Sequence, residues 1–196
     1  DSLTISLRVS PVVKAQFEVP DGCAPYTARF NNTTLAGQQF RWDFGDGSSS
    51  TDVNPTHLYN APGAYTISLV AIDSNTCNII DSTSRTIQVN VKPASDFTTT
   101  PVPPEYNTPT VFYNNATGGT HFTWLFGDGD SVAKTTTDSV IHQYLRTGSF
   151  NACLIAFNQF GCSDTSCHPV EGLINPLLAV RNAFTPRRFG ENGVLR

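Results

Sequence analysis

One segment of this chain occurs twice, and it limits the fold more than any other feature. Phe40-Arg41-Trp42-Asp43-Phe44-Gly45-Asp46-Gly47 returns as Phe122-Thr123-Trp124-Leu125-Phe126-Gly127-Asp128-Gly129. Flanking pieces follow in the same order. Phe30-Asn31-Asn32 returns as Tyr113-Asn114-Asn115, or as its neighbour in register. His57-Leu58-Tyr59 returns as His142-Gln143-Tyr144, and Gly63 to Ala71 returns as Gly148 to Ala156. The two tryptophans are 82 residues apart, and the offset grows to 85 after a variable loop. A period that long is one whole domain per copy, because solenoid units repeat at roughly 20–50 residues.

Within each copy the apolar residues alternate. Phe40, Trp42 and Phe44 fall on one side of an extended segment, with Arg41 and Asp43 on the other. Phe122, Trp124 and Phe126 do the same, as do Tyr65, Ile67, Leu69 and Ala71, and Phe150, Ala152, Leu154 and Ala156. This is the period of a strand with one buried face. Gly-Asp-Gly supplies the turn, with glycine for positive φ and aspartate for bonds to nearby amides. The chain contains no Met and abounds in Thr, Ser, Asn, Val and Phe, which favour strands and turns over helices. The fold expected is all-β, with two tandem sandwiches.

Boundaries follow from the repeat. Thr86-Ile87-Gln88-Val89-Asn90-Val91-Lys92-Pro93 reads as a last strand closed by proline, and Thr4-Ile5-Ser6-Leu7-Arg8-Val9-Ser10-Pro11 repeats that junction. Residues 1–12 are therefore read as the last strand or linker of a preceding domain, with a simple N-terminal extension strand as the alternative. Residues 13–92 form domain 1, 93–170 domain 2, and 171–196 a linker and tail.

Composition narrows the function. The net charge is −4 and the pI about 5.4, with no basic stripe for nucleic acid. No apolar run approaches the roughly 20 residues of a membrane helix, and Asp1-Ser2-Leu3-Thr4 lacks the basic start and apolar block of a signal peptide. The five cysteines include no CxxC and the four histidines are scattered, which favours disulfides, and so an oxidising compartment, over zinc.

Asp43, Asp46, Asp128 and Asp130 invite a metal or acid/base reading. However, the Asp-Gly pair sits where a turn is needed, and Leu125 removes one carboxylate from the second copy. Calcium would need six or more oxygens, which this pattern does not supply. His57 and His142 share a repeat position beside Tyr59 and Tyr144 and read as packing residues at a strand start. No nucleophile elbow, zinc-protease motif or phosphate loop occurs. No catalytic residue, cofactor or metal ligand is therefore assigned, with calcium at the aspartates kept as the alternative to a plain turn, and the chain is read as a non-enzyme.

Trp-Asp-Phe-Gly-Asp-Gly, then His-x-Tyr, then Pro-Gly-x-Tyr-x-Ile-x-Leu, resembles the signature of the PKD domain, an immunoglobulin-like sandwich. The second copy departs at Leu125 and lacks a proline before Gly148. The resemblance implies a Cys23–Cys77 bridge. Strand parity puts Cys153 and Cys167 on the outer face of neighbouring strands, where a second bridge is expected. Cys162 aligns with Cys77, finds no counterpart of Cys23, and is left over.

The tail adds Asn182-Ala183-Phe184-Thr185-Pro186, then Arg187-Arg188-Phe189-Gly190-Glu191-Asn192-Gly193. It resembles the opening of the gliding-motility-associated C-terminal domain of Bacteroidota surface proteins, although Arg181 stands where proline is usual and Arg187-Arg188-Phe189-Gly190 replaces the commoner Asn-Gly-Asp-Gly. The resemblance implies type IX secretion, a cell-surface location at the outer membrane, and partnership with a PorP/SprF-like outer-membrane barrel. Arg181, Asn182, Phe184, Thr185, Pro186, Arg187, Arg188 and Phe189 would form the docking segment. The expected role is the stalk of a secreted gliding adhesin. The alternatives are an accessory module of a secreted polysaccharide- or protein-degrading enzyme and a homophilic matrix protein.

Overall fold

The computed structural model describes residues 11–175. Residues 1–10 and the docking segment 181–189 lie outside the described residues. No helix occurs in the described chain. It divides into two compact units, residues 11–92 with 159–162, and residues 93–158 with 163–175.

The first unit holds nine strands: β1 (Phe17–Glu18), β2 (Gly22–Cys23), β3 (Tyr26–Arg29), β4 (Asn31–Asn32), β5 (Gln39–Asp43), β6 (Ser49–Ser50), β7 (Thr56–Tyr59), β8 (Gly63–Ile72) and β9 (Ile80–Asn90). One sheet runs β2-β9-β8-β5-β6, and the pairs β1-β4 and β3-β7 supply the other face of the core. In β5 the alternation is realised: Phe40 and Trp42 are buried, while Gln39, Arg41 and Asp43 are exposed. Trp42 lies against Phe17 at 5.2 Å and Phe30 at 5.5 Å. Its Nε1 donates to the Asp52 carbonyl at 2.9 Å, which satisfies the one polar atom the ring carries inward. Side chains also pin the chain entering this unit: Asn78 exchanges two bonds with Val13, and Asp81 accepts from the Ala15 amide.

The second unit holds β10 (Phe97–Thr100), β11 (Thr110–Asn114), β12 (His121–Leu125), β13 (Ser131–Lys134), β14 (Val140–His142), β15 (Gly148–Phe157) and β16 (Ser163–Gly172). Its sheets run β10-β11-β14 and β13-β12-β15-β16. Trp124 is fully buried against Phe97 and Phe112 at 5.3 and 5.5 Å. Its Nε1 finds no partner, in contrast to Trp42. Asp164 takes the place of Asp81 and accepts from the Ser95 amide at 2.8 Å. Pairing fixes the upstream alignment of the copies. Asn32 faces Phe17 and Asn114 faces Phe97, so Phe30-Asn31-Asn32 matches Phe112-Tyr113-Asn114, the neighbouring register.

The cysteines correct one expectation. Cys23 is bonded to Cys162, with Cα atoms 5.8 Å apart, and not to Cys77. The reason is register. Cys23 stands opposite Asn90 at one end of β9, whereas Cys77 precedes Ile80 at the other. Ten strand residues separate those ends, about 33 Å, far beyond the reach of a disulfide. Cys162, expected to be left over, is buried, and its segment 159–162 groups with the first unit. Cys77 is exposed and its amide donates to the Pro11 carbonyl. Cys153 and Cys167 are direct cross-strand neighbours in β15 and β16, bridged with Cα atoms 4.1 Å apart.

Candidate functional site

The Gly-Asp-Gly turn and the His-x-Tyr strand meet in each unit. At the end of β5, Asp43 Oδ1 accepts from the Gly45 amide at 2.8 Å, and Asp46 Oδ1 accepts from the Ser48 amide at 3.0 Å. The Ser48 hydroxyl also donates to Asp46. From β7, His57 Nε2 donates to Asp46 Oδ2 at 2.7 Å. The ring stacks on Phe44 at 4.4 Å, tilted by only 5°. Tyr59 packs its edge against His57, and its hydroxyl donates to the Phe44 carbonyl at 2.9 Å. Four residues of two repeat motifs thus form one plug over the core.

The second unit reproduces the plug. His142 Nε2 donates to Asp128 Oδ2 at 2.7 Å and stacks on Phe126 at 4.0 Å and 1°. The Tyr144 hydroxyl donates to the Phe126 carbonyl at 2.9 Å. Here Asp130 replaces Ser48, and its amide donates to Asp128. Leu125, in place of Asp43, is 40 % exposed and points away from the core.

The first glycine of each turn is there because nothing else fits. Gly45 has φ +79°, and a Cβ on it would lie 2.6 Å from the Thr66 carbonyl oxygen. Gly127 has φ +84°, with the Asn151 carbonyl oxygen 2.7 Å from such a Cβ. Positive φ disfavours a side chain and the neighbouring backbone excludes one.

Electrostatics follow the bonds. Burial pushes the Asp46 carboxyl up, but the hydrogen bonds from Ser48 and His57 outweigh it and hold the group at about 2. The Asp128 carboxyl is likewise pushed up by burial and brought below its ordinary value by His142 and the Asp130 amide. Burial raises the phenols of Tyr59 and Tyr144, with the nearby Asp46 and Asp128 charges adding to it.

Ser48, His57 and Asp46 hold the three residue types of a hydrolytic triad but not its geometry. A relay needs Asp and Ser on opposite ring nitrogens. Here Ser48 Oγ, at 3.3 Å, and Asp46 both address Nε2, and the serine proton goes to the carboxylate. Ser166 and Asp96 likewise both address Nε2 of His168, at 3.0 and 3.6 Å. That histidine lines a groove of about 300 Å³ with Phe97, Val102 and Val170.

Ligand atoms of Asp128, Asp130 and His142 lie within 4.8 Å of one another. The set does not fit calcium, which takes six to eight oxygens. The one imidazole nitrogen here is already committed to Asp128. The recurrence of Gly-Asp-Gly and His-x-Tyr together in both copies was the available signal for the Asp–His pair. The sequence reading of the histidines as packing residues missed the carboxylate partner and the tyrosine-to-carbonyl bond.

Residues 8–91 and residues 96–170 each match the PKD domain family. Among curated proteins, collagenase ColA of Bacillus cereus is 51% identical over 35 residues, 18% of this chain and 4% of that protein. A microbial collagenase of Vibrio alginolyticus is 58% identical over 33 residues, 17% of this chain and 4% of that protein. The chain thus spans a small fraction of the length of these relatives. Among solved structures, the PKD1 domain of Vibrio anguillarum Epp is 31% identical with a TM-score of 0.36, over 42% of this chain and 99% of that one. With matches that together take in most of its length, the chain belongs to the PKD domain family and carries two copies of the domain in tandem.

Proposed function

We propose that the chain is the non-catalytic stalk of a secreted cell-surface adhesin, with two PKD domains as spacers and the tail as a type IX secretion and outer-membrane docking signal. The observation that carries the spacer reading is the fate of the chemistry-bearing residues. Asp46, Ser48, His57, Asp128 and His142 spend their polar atoms on one another and on the backbone, and Trp42 and Trp124 lie in the cores. Two disulfides suit an oxidising extracellular setting. The tail reading rests on its resemblance to gliding-associated C-terminal domains, with Arg181, Arg187 and Arg188 for an acidic partner surface and Phe184 and Phe189 as apolar anchors.

The test is a pull-down from outer membranes, read by mass spectrometry, with the full chain against one ending at Asn175. The cut belongs there because β16 reaches Gly172, and the Ile174 and Asn175 amides bond Thr147 and Asn107. A PorP/SprF-like barrel recovered only with the tail supports the docking role. Equal recovery of nothing from both chains sinks it.

A second reading, an accessory module of a secreted degradative enzyme, has its own support. The outer face of β10-β11-β14 carries Val111, Tyr113 and Ile141, the last two well exposed. The matching pair β3-β7 presents Thr27, Arg29, Thr56 and Leu58. Binding of the chain to insoluble collagen or polysaccharide, lost in a Tyr113→Ala/Ile141→Ser variant, would favour this reading over the stalk.

A further inference from the structure

Covalent connectivity gives the molecule a mechanical property that neither sandwich has alone. The Cys23–Cys162 bond joins residues 139 apart in sequence. Tension applied at the two ends therefore travels along residues 1–23, crosses the sulfur–sulfur bond, and leaves along residues 162–196. Everything from β3 to β15, including Trp42, Trp124 and both Gly-Asp-Gly turns, lies on the slack side of that bond. We infer that Cys23–Cys162 is a tension bypass that limits how far the chain can be drawn out, and that it opens only on reduction.

The second bond lies beside the same path. Cys153–Cys167 closes a ring over residues 153–167 that contains Cys162, so load entering at Cys162 reaches Cys167 both along the chain and through that bond. Under load the first unit yields β1 and β2, and the second yields β16. The pairs β5-β8, β8-β9 over residues 80–89, and β12-β15 stay off the path. In an oxidising exterior the bond persists, and the strands that carry Trp42 and Trp124 stay off the loaded path. The inference deepens the stalk reading, which supplies the load, but it depends only on the covalent chain.

The test is force spectroscopy on the full chain held by handles at its two termini. Fully extended residues span about 3.3–3.6 Å each, so the oxidised chain should release no more than ~200 Å of contour, and the reduced chain ~650–700 Å. An oxidised Cys23→Ser/Cys162→Ser variant should match the reduced chain less the ~50 Å held behind Cys153–Cys167. The Cys153→Ser/Cys167→Ser variant should keep the ~200 Å ceiling to within the small ring. Reduction of the unaltered protein covers the case in which the double variant fails to fold. Release beyond ~200 Å by the oxidised chain would overturn the inference, and a Cys23–Cys77 bond in its place, with Cys153–Cys167 still closed, would show as ~450 Å. Non-reducing peptide mapping of the same sample should recover Cys23 joined to Cys162, and any other partner is equally fatal. A failed membrane pull-down with an intact ceiling would remove the docking role and leave the bypass standing.

Discussion

Alanine at Gly45 should destabilise the first unit far more than alanine at Gly47, two residues away. Both glycines have positive φ, +79° and +90°. Each substitution therefore carries the strain of a left-handed L-residue, about 1–2 kcal/mol. They differ in what the new methyl would meet. At Gly47 nothing lies within 4 Å, whereas at Gly45 the Thr66 carbonyl oxygen is at 2.6 Å and its nitrogen at 2.9 Å. Thr66 is in the middle of β8, paired with Thr86, so relief means displacing a central strand. Forcing extra volume into packed structure adds about 1–3 kcal/mol. Gly45→Ala should then total ~2–5 kcal/mol and Gly47→Ala ~1–2 kcal/mol. For a domain of this size each kcal/mol shifts Tm by about 4–8 °C. The assay is thermal unfolding followed by tryptophan fluorescence, since each unit buries one tryptophan and reports its own transition. Gly127→Ala and Gly129→Ala repeat the contrast in the second unit, where the Asn151 carbonyl oxygen takes the role of Thr66. Equal Tm losses for the two glycines of one turn would refute the close-approach reasoning and leave only the positive φ.

The side-chain hydrogen bonds make three further predictions. Asp46 is held at about 2 when folded against an ordinary 3.8, so its contribution is complete above pH ~4 and drains away as pH falls through 2. Asp46→Asn should lose about 1 kcal/mol at neutral pH, screening by solvent included, and should flatten the acid-unfolding profile between pH 4 and 2. Tyr144→Phe leaves the Phe126 carbonyl without its buried donor and should cost about 1–2 kcal/mol in urea unfolding of the second unit, with the Tyr59→Phe variant matching it in the first. Trp42→Phe should cost about 0.5–1.5 kcal/mol more than Trp124→Phe, because only Trp42 gives up a hydrogen bond.

What was legible in the sequence was local. Alternation at Phe40, Trp42 and Phe44 named the buried face of β5 because strand geometry turns a period of two directly into sidedness. Gly-Asp-Gly named the turn because positive φ selects glycine. The partner of each histidine was legible only indirectly. His57 and Asp46 are eleven residues apart, and their meeting depends on how β7 crosses the end of β5, which no local pattern encodes. The same limit explains the unpaired Nε1 of Trp124: identical motifs surround both rings, but the loop that brings the Asp52 carbonyl to Trp42 differs in the second copy.

The disulfides separate what parity can decide from what it cannot. Cys153 and Cys167 were placed by counting along two strands, and their pairing involves only adjacent members of one hairpin. Cys23 and Cys77 also lie in one repeat, and the family resemblance implied a link between them, but β2 joins β9 in parallel and so meets its far end. That single parallel pairing carries Cys23 away from Cys77, and a segment of the other copy supplies the sulfur instead. A duplicated sequence thus need not duplicate its covalent bonds. Each copy specifies its own sandwich through patterns about 80 residues long, while the one bond that reaches across 139 residues specifies something that belongs to the pair.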